Sequence, residues 1–386
     1  MSSLSRHLYR SFCTATPATP ETSVAWPPLN TIISDLFNER NFETLVNKFK
    51  KSSEYHRFRC RHRIYEVTVR RLALAKRFSC IEEILEDQKK YNDICSEGFA
   101  IRLISLYGKS GMFNQASQTF NQLPELKCPR TVKSFNALLS ACVDTKNYEK
   151  AEPLFRELPS SLSIEPNLYS YNIMIRVYCE MGSLDSAISV LDEMEKSGVS
   201  PSLITFNFLL NGFYEKNRFS DGEAIWARME NNNLVPDIRS FNAKLRGLVL
   251  GGKTLEVVEL VKELETKGPK PDIHSFNALI KGLCNDGDLE VAMRIHKELN
   301  KKGLIPNRST FQTLIPCLCE KGNFDLALKL CKESLNRRHF LHAELLQTVV
   351  DGFVKKSKVD GAKKLMELAR AKGYSESSLK MPSDAE

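Results

Sequence analysis

Residues 275–284 read Ser275-Phe276-Asn277-Ala278-Leu279-Ile280-Lys281-Gly282-Leu283-Cys284, and the opening phrase returns at fixed distance along the chain. It stands as Ser134-Phe135-Asn136, Ser170-Tyr171-Asn172, Thr205-Phe206-Asn207, Ser240-Phe241-Asn242 and Thr310-Phe311-Gln312. Successive Asn residues are 36, 35, 35 and 35 apart, and Gln312 follows Asn277 by another 35. A proline precedes five of the phrases, at Pro166, Pro201, Pro236, Pro271 and Pro306. A fixed period of this length marks a repeat array, in which each unit is one supersecondary element.

Each unit reads as two helices. Proline ends the preceding helix because it lacks an N–H and disfavours the α region in the residue before it, and the Ser or Thr of the phrase is expected to cap the next. Apolar residues then recur at helical spacing, as in Asn172-Ile173-Met174-Ile175-Arg176-Val177-Tyr178-Cys179. Gly182, Gly252, Gly287 and Gly322 fall where a helix terminus turns left-handed. In the second helix a small residue recurs at Ala116, Ala151, Ala187, Ala292, Ala327 and Ala362, allowing helices to approach to about 8–9 Å. Hairpins with apolar surface to spare must stack. The fold expected is therefore all-α, a right-handed superhelical solenoid of about ten helix-turn-helix repeats, its concave surface lined by first helices.

The phase weakens toward both ends. Earlier units are marked from about Trp26, His62 and Glu97, and a last one ends near Ser375. The expected division is 1–25, a transit peptide and linker; 26–131, irregular repeats with a basic segment; 132–307, five regular repeats; 308–377, C-terminal and capping repeats; and 378–386, a disordered tail. The first twenty residues carry Arg6, His7 and Arg10 among Ser and Thr, with no acid until Glu21, and Leu4, Leu8 and Phe12 share a helical face. That composition suits a mitochondrial transit peptide, and Arg10-Ser11-Phe12 places the expected cut near Cys13.

The 386 residues hold 55 Lys and Arg against 47 Asp and Glu, a formal charge of +8. No uncharged apolar run reaches the roughly 18 residues of a membrane span, so none is expected. Eleven scattered cysteines do not form a secreted disulfide scaffold. Cys142, Cys179, Cys284 and Cys319 follow apolar stripes and read as small buried hydrophobes. There is no Gly-rich phosphate loop and no HxE with CxxC, so neither catalysis, cofactor nor metal is expected.

Serine-aromatic-asparagine phrasing, mid-unit glycine, terminal proline and a 35-residue period together resemble the pentatricopeptide repeat family in its plain form, over nearly all of the chain after the first segment. The resemblance implies single-stranded RNA binding in an organelle, and the short, ten-unit array is similar to land-plant mitochondrial members built into the small ribosomal subunit. Partners implied are rRNA and mitochondrial ribosomal proteins, in the mitochondrial matrix, with no DNA. A free factor acting on mRNA stability or translation, and a protein-binding scaffold, are the alternatives.

In that family two side chains per hairpin read one base. Carried over, the pairs are Asn136 with Asn167, Asn172 with Ser202, Asn207 with Asp237, Asn242 with Asp272, and Asn277 with Asn307. All suit pyrimidines, and the code implied is 5′-CCUUC-3′. An Asp accepts the N3–H of uracil, which cytosine lacks. Ile101 with Thr131, and Gln312 with His342, depart from the pattern. Asn is a mediocre helix former, and no stacking requirement evident in the sequence calls for it in every unit, which favours contact with RNA. The family also stacks bases between residues three before each Asn: Lys133, Tyr169, Ile204, Arg239 and His274. Of these Tyr169 and Ile204 suit a wedge, Arg239 and His274 suit stacking or phosphate contact, and Lys133 fits poorly.

A second signal lies upstream. Between Lys48 and Arg77 eleven Lys and Arg face only Glu54 and Glu66, a local charge of +9. Arg57, Arg59, Arg61, Arg63, Arg70 and Arg71 are expected to contact phosphate, since each neutralised phosphate releases counterions. A solvated basic helix face is the alternative.

Overall fold

The structure is a computed structural model that describes residues 26–375 and 379–380. The expected transit segment lies outside the described residues, as does most of the expected tail. Among the described residues every regular element is helical, and no helix is long and apolar enough to cross a membrane. The chain forms two compact units that divide between Lys146 and Asn147. This division falls within the repeat that opens at Val132.

Among the described residues the second unit holds six complete hairpins. Their first helices are Leu168–Met181, Leu203–Glu215, Ile238–Leu250, Ile273–Asn285, Arg308–Glu320 and Ala343–Lys355. The paired second helices are Leu184–Lys196, Phe219–Asn231, Thr254–Thr266, Leu289–Lys301, Phe324–Asn336 and Val359–Ala371. Each first helix packs on the first helix of the next hairpin as well as on its own partner, so the first helices run as a continuous row. This is a helical-repeat array, the fold class expected.

The caps correct one expectation. The N-cap is not the Ser or Thr of the phrase but the residue directly after the proline: Asn167, Ser202, Asp237, Asp272 or Asn307. Ser170, Thr205, Ser240, Ser275 and Thr310 stand at the third helical position and return a hydrogen bond to the N-cap backbone, closing a capping box. The proline ring presets the chain just ahead of a residue in extended conformation, which the N-cap requires. The aromatic of the phrase then faces inward; Tyr171, Phe206, Phe276 and Phe311 are buried.

Hairpin turns follow the expectation at Gly182, Gly252, Gly287 and Gly322, all left-handed with φ between 68° and 80°. Asn217 and Ser357 adopt the same conformation at the same phase without glycine. The small-residue row is fully buried at Ala187, Ala292, Ala327 and Ala362. A second row of small residues serves the approach of consecutive first helices. A Cβ on Gly247 would lie 2.7 Å from Tyr214 Cβ, and one on Gly212 would lie 2.8 Å from Cys179 Sγ. Burial pushes the thiol of Cys179 up to about 12, so it packs as an apolar group. Cys142 is likewise buried in the first unit, and Cys284 and Cys319 are half-buried.

Among the described residues the first unit contains three complete hairpins, whose first helices are Leu29–Asn38, His62–Leu74 and Glu97–Lys109, followed by the helix Val132–Asp144. Its core is aromatic: Phe49 lies edge-on to Phe58 and to Tyr65, with ring centroids 5.1 Å apart in each pair. Tyr65 donates its hydroxyl to Gln88 Oε1 at 2.7 Å, and Gln88 Nε2 donates to Ser53 Oγ at 3.2 Å.

Replacing Gly247 by valine should lower stability by about 1–3 kcal/mol through overpacking against Tyr214. Urea unfolding checks this; an unchanged midpoint would mean that the helix row accommodates larger side chains.

Candidate nucleic-acid interface

The asparagines of the phrase lie on the first helices, one turn in from the capped ends. Asn136, Asn172, Asn207, Asn242 and Asn277 are all buried, at 5–8% exposure. Within the second unit each amide oxygen accepts a hydrogen bond from the hydroxyl of the following hairpin. Thr205 donates to Asn172, Ser240 to Asn207, Ser275 to Asn242 and Thr310 to Asn277, each at 2.7 Å. The amide nitrogen bonds the same neighbour at its N-cap: Asn207 Nδ2 donates to Asp237 Oδ1 at 3.2 Å, Asn242 to Asp272 at 3.1 Å and Asn277 to Asn307 at 3.0 Å. The expectation that stacking gives no reason for Asn is therefore overturned. A buried amide that both donates and accepts across the joint welds one hairpin to the next cap.

This geometry brings together three of the expected pairs, Asn207 with Asp237, Asn242 with Asp272, and Asn277 with Asn307. Asn172 reaches the cap of Ser202 through Thr205, whose hydroxyl lies 3.1 Å from Ser202 Oγ. Asn136 and Asn167 fall in different compact units.

The bonds leave defined atoms unused. In Asp237 and Asp272, Oδ1 carries the capping and bridging bonds, so Oδ2 remains an acceptor. In Asn307, Oδ1 is similarly engaged, so its Nδ2 remains a donor. An acceptor complements the N3–H of uracil, and a donor complements the N3 of cytosine. Burial works against ionisation of Asp237, but hydrogen bonds from Ser240, Asn207 and Arg239 outweigh it and hold the carboxyl below its usual range.

Beside the caps lies the expected stacking row, at the second position of each first helix. Tyr169 and Ile204 are 59% and 55% exposed, large values for apolar side chains. Arg239, His274 and Lys133 are exposed as well. At the next unit the pattern breaks: His342 makes no side-chain cap bond, and its Nε2 sits 2.9 Å from Arg308.

The first unit corrects part of the phosphate-contact set. Arg59 is buried and fully engaged, paired with Asp93 at 2.8 Å, donating to Ser53 and Glu54 carbonyls, and lying 4.2 Å over the Tyr91 ring. Arg71 donates to the carbonyls of Leu36, Phe37 and Glu39, closing the end of the helix Leu29–Asn38. Both hold neighbouring hairpins together, and their internal partners leave little for phosphate. Lys48 and Lys50 are likewise paired, with Asp35, Glu39 and Glu83. Arg57, Arg61, Arg63 and Arg70 stay exposed, the last two along a groove of about 710 Å³ with Lys109 and Glu66.

One structural residue escaped the sequence reading. Glu97 accepts from the N–H and hydroxyl of Thr131 at 2.9 and 2.8 Å and from the N–H of Ser134 at 3.1 Å. Where Ile101 occupies the amide slot, Glu97 performs the cap-to-cap link from four residues earlier. Its spacing of 34 from Thr131 is the signal that could have found it. Among the described residues no group of His, Cys, Asp or Glu is arranged to hold a metal ion.

Capped hairpins in register, with one polar pair and one exposed side chain per step, define a helical-repeat protein. Models of the PPR repeat family match residues 130–180, 166–215 and 271–320, and those of the PPR repeat match 102–128, 204–234 and 309–339, together a little over half of the chain. The chain belongs to the pentatricopeptide repeat family. It is similar to small ribosomal subunit protein mS78 (rPPR3a) of Arabidopsis thaliana, 46% identical over 211 residues, which is 52% of this chain and 53% of that protein. Small ribosomal subunit protein mS79 (rPPR3b) of the same plant is 44% identical over 213 residues, 52% of this chain and 53% of the relative. The match thus spans about half the length of these relatives. Among solved structures, that of PPR10 from maize aligns over 89% of this chain and 58% of its own at 17% identity, with a TM-score of 0.47.

Two outcomes follow from the amide bridge. Asn277→Ala should cost about 1–3 kcal/mol, because the Thr310 hydroxyl loses its 2.7 Å acceptor and keeps only the longer contact to Asn307 at 3.3 Å, the Asn307 oxygen losing a donor as well; equilibrium unfolding in urea measures it, and a neutral result would contradict the bridge. Asp237, with its folded pKa lowered, contributes stability that is complete above its unfolded value of about 3.9 and is lost as pH falls through the folded value. Asp237→Asn should therefore flatten the acid limb of a stability–pH curve, and an unaltered limb would rule the contribution out.

Proposed function

We propose that the chain is a non-catalytic RNA-binding protein of the mitochondrion that grips pyrimidine-rich single strands and works as a component of the small ribosomal subunit in contact with rRNA. The observation that carries RNA binding is the periodic pairing of a fixed Asn amide with an N-cap whose spare atom, Oδ2 of Asp237 and Asp272 or Nδ2 of Asn307, is left for a base edge. Because the amide is locked by its neighbours before RNA arrives, little ordering entropy remains to be lost on binding. Tyr169, Ile204, Arg239 and His274 supply side chains between which successive bases stack.

The regular repeats, 132–307, are the reading segment in this account. The repeats of 26–131 add sequence-independent phosphate contact through Arg57, Arg61, Arg63 and Arg70, and those of 308–377 close the array. Likeness to two small ribosomal subunit proteins supports the ribosomal assignment, and relatives named as mitochondrial support the compartment.

Two experiments test this reading. In filter binding, Asp237→Asn with Asp272→Asn should shift preference from CCUUC toward CCCCC by about tenfold, the scale of one unpaired hydrogen-bonding group; unchanged preference would remove base reading at these caps. In sucrose gradients of mitochondrial extract, the protein should travel with the small subunit after a high-salt wash. A free pool bound to particular transcripts would instead favour a factor acting on mRNA.

A further inference from the structure

At the start of the first unit, the indole of Trp26 lies parallel to the ring of Tyr55, with centroids 5.5 Å apart and planes within 8°. The pair forms one wall of a cleft of about 630 Å³ whose other side chains include His56, Arg57, Cys60 and Arg61. Both rings are half-buried, each leaving part of its surface open.

The charge around this cleft is one-sided. Among the described residues no carboxylate lines it. His56 Nε2 lies 3.6 Å from Asp93, and that carboxylate is already paired with the buried Arg59 at 2.8 Å. The guanidinium groups of Arg57 and Arg61 are exposed and make no ion pair or hydrogen bond among the described residues. Two guanidinium groups without a partner among the described residues therefore line the same cleft as two flat aromatic surfaces, and the cleft is large enough for one nucleotide.

We propose that this cleft is a second RNA contact of a different kind from the amide ladder: a stacking site for one unpaired base, held by its flanking phosphates. This rests on the reading of the chain as an RNA-binding protein. Aromatic faces accept any base, since every base has a π-face, while a guanidinium fork matches a phosphate bidentately. The site therefore adds affinity without sequence preference. An acidic protein segment would satisfy the two cations but would leave the paired rings without an aromatic partner.

The test uses the full chain with Trp226→Phe, which leaves Trp26 as the sole indole. Titration with single-stranded RNA carrying the CCUUC element and unpaired flanks should quench Trp26 emission, and poly-glutamate at equal charge should not. Trp26→Ala should weaken binding by about fivefold or more, the lower end of what one base–aromatic stack contributes, and Trp26→Phe should restore most of it. Arg57→Gln with Arg61→Gln, both at the surface, should leave folding intact and reduce the slope of log affinity against log salt by about two, one per phosphate. Should RNA bind with unchanged Trp26 emission, and Trp26→Ala and the double Gln variant bind as the parent does, the cleft is not a contact while RNA binding by the ladder stands. Equal quenching by poly-glutamate would overturn the stacking site in favour of an acidic partner. Absence of any RNA binding by the parent would overturn both readings together.

Discussion

The hydrogen bond from the hydroxyl of one hairpin to the buried amide of the hairpin before it is the constraint on which the second unit depends. Its length is 2.7 Å at four successive joints. Apolar burial supplies most of the stacking energy, but it is non-directional and would tolerate some sliding of one hairpin on the next. A buried amide does not tolerate it, because a small displacement leaves a donor and an acceptor without partners in a dry site. The repeat phrase thus divides three tasks among three residues: the hydroxyl closes the cap, the aromatic fills the core, and the amide sets the register.

The same bond also connects fold to the proposed function. An amide that can rotate offers a base either its oxygen or its nitrogen. Once Ser240 and Asp237 hold Asn207 from both ends, its orientation is settled, and so is the spare atom of the cap. The structural role and the proposed recognition role are therefore two consequences of one arrangement. In the proposed reading, selection at each step depends on the cap residue, an acceptor in Asp237 and Asp272 and a donor in Asn307, while the Asn stays the same.

Much of this was legible in the sequence because the period is local and repeated. Helix pairs, left-handed glycine turns at Gly182 and Gly252 and the buried alanine row follow from patterning within a unit, while the partner positions thirty residues apart came only from the family resemblance. What remained hidden involves contacts between units. The role of Ser240 as a third-position residue, not the N-cap, turns on where the chain leaves its extended conformation after Pro236, and helix ends are poorly marked by composition. Arg59 and Arg71 read as free charge because their partners, Asp93 and the carbonyls of Leu36 to Glu39, lie some thirty residues away in adjacent hairpins. Charge density along a segment is visible in the letters; its neutralisation across a joint is not. Gly247 likewise reads as an unremarkable helix residue until Tyr214 of the preceding hairpin is placed against it.

The most direct measurement is a double-mutant cycle between Asn242 and Ser275, with each residue replaced by alanine singly and together and stability determined by urea unfolding. Residues joined by a buried hydrogen bond across a joint should show a coupling of about 1–2 kcal/mol, the double variant losing less than the sum of the singles. Strict additivity would mean that the amide does not fix one hairpin to the next, and the register of the array would then need another origin.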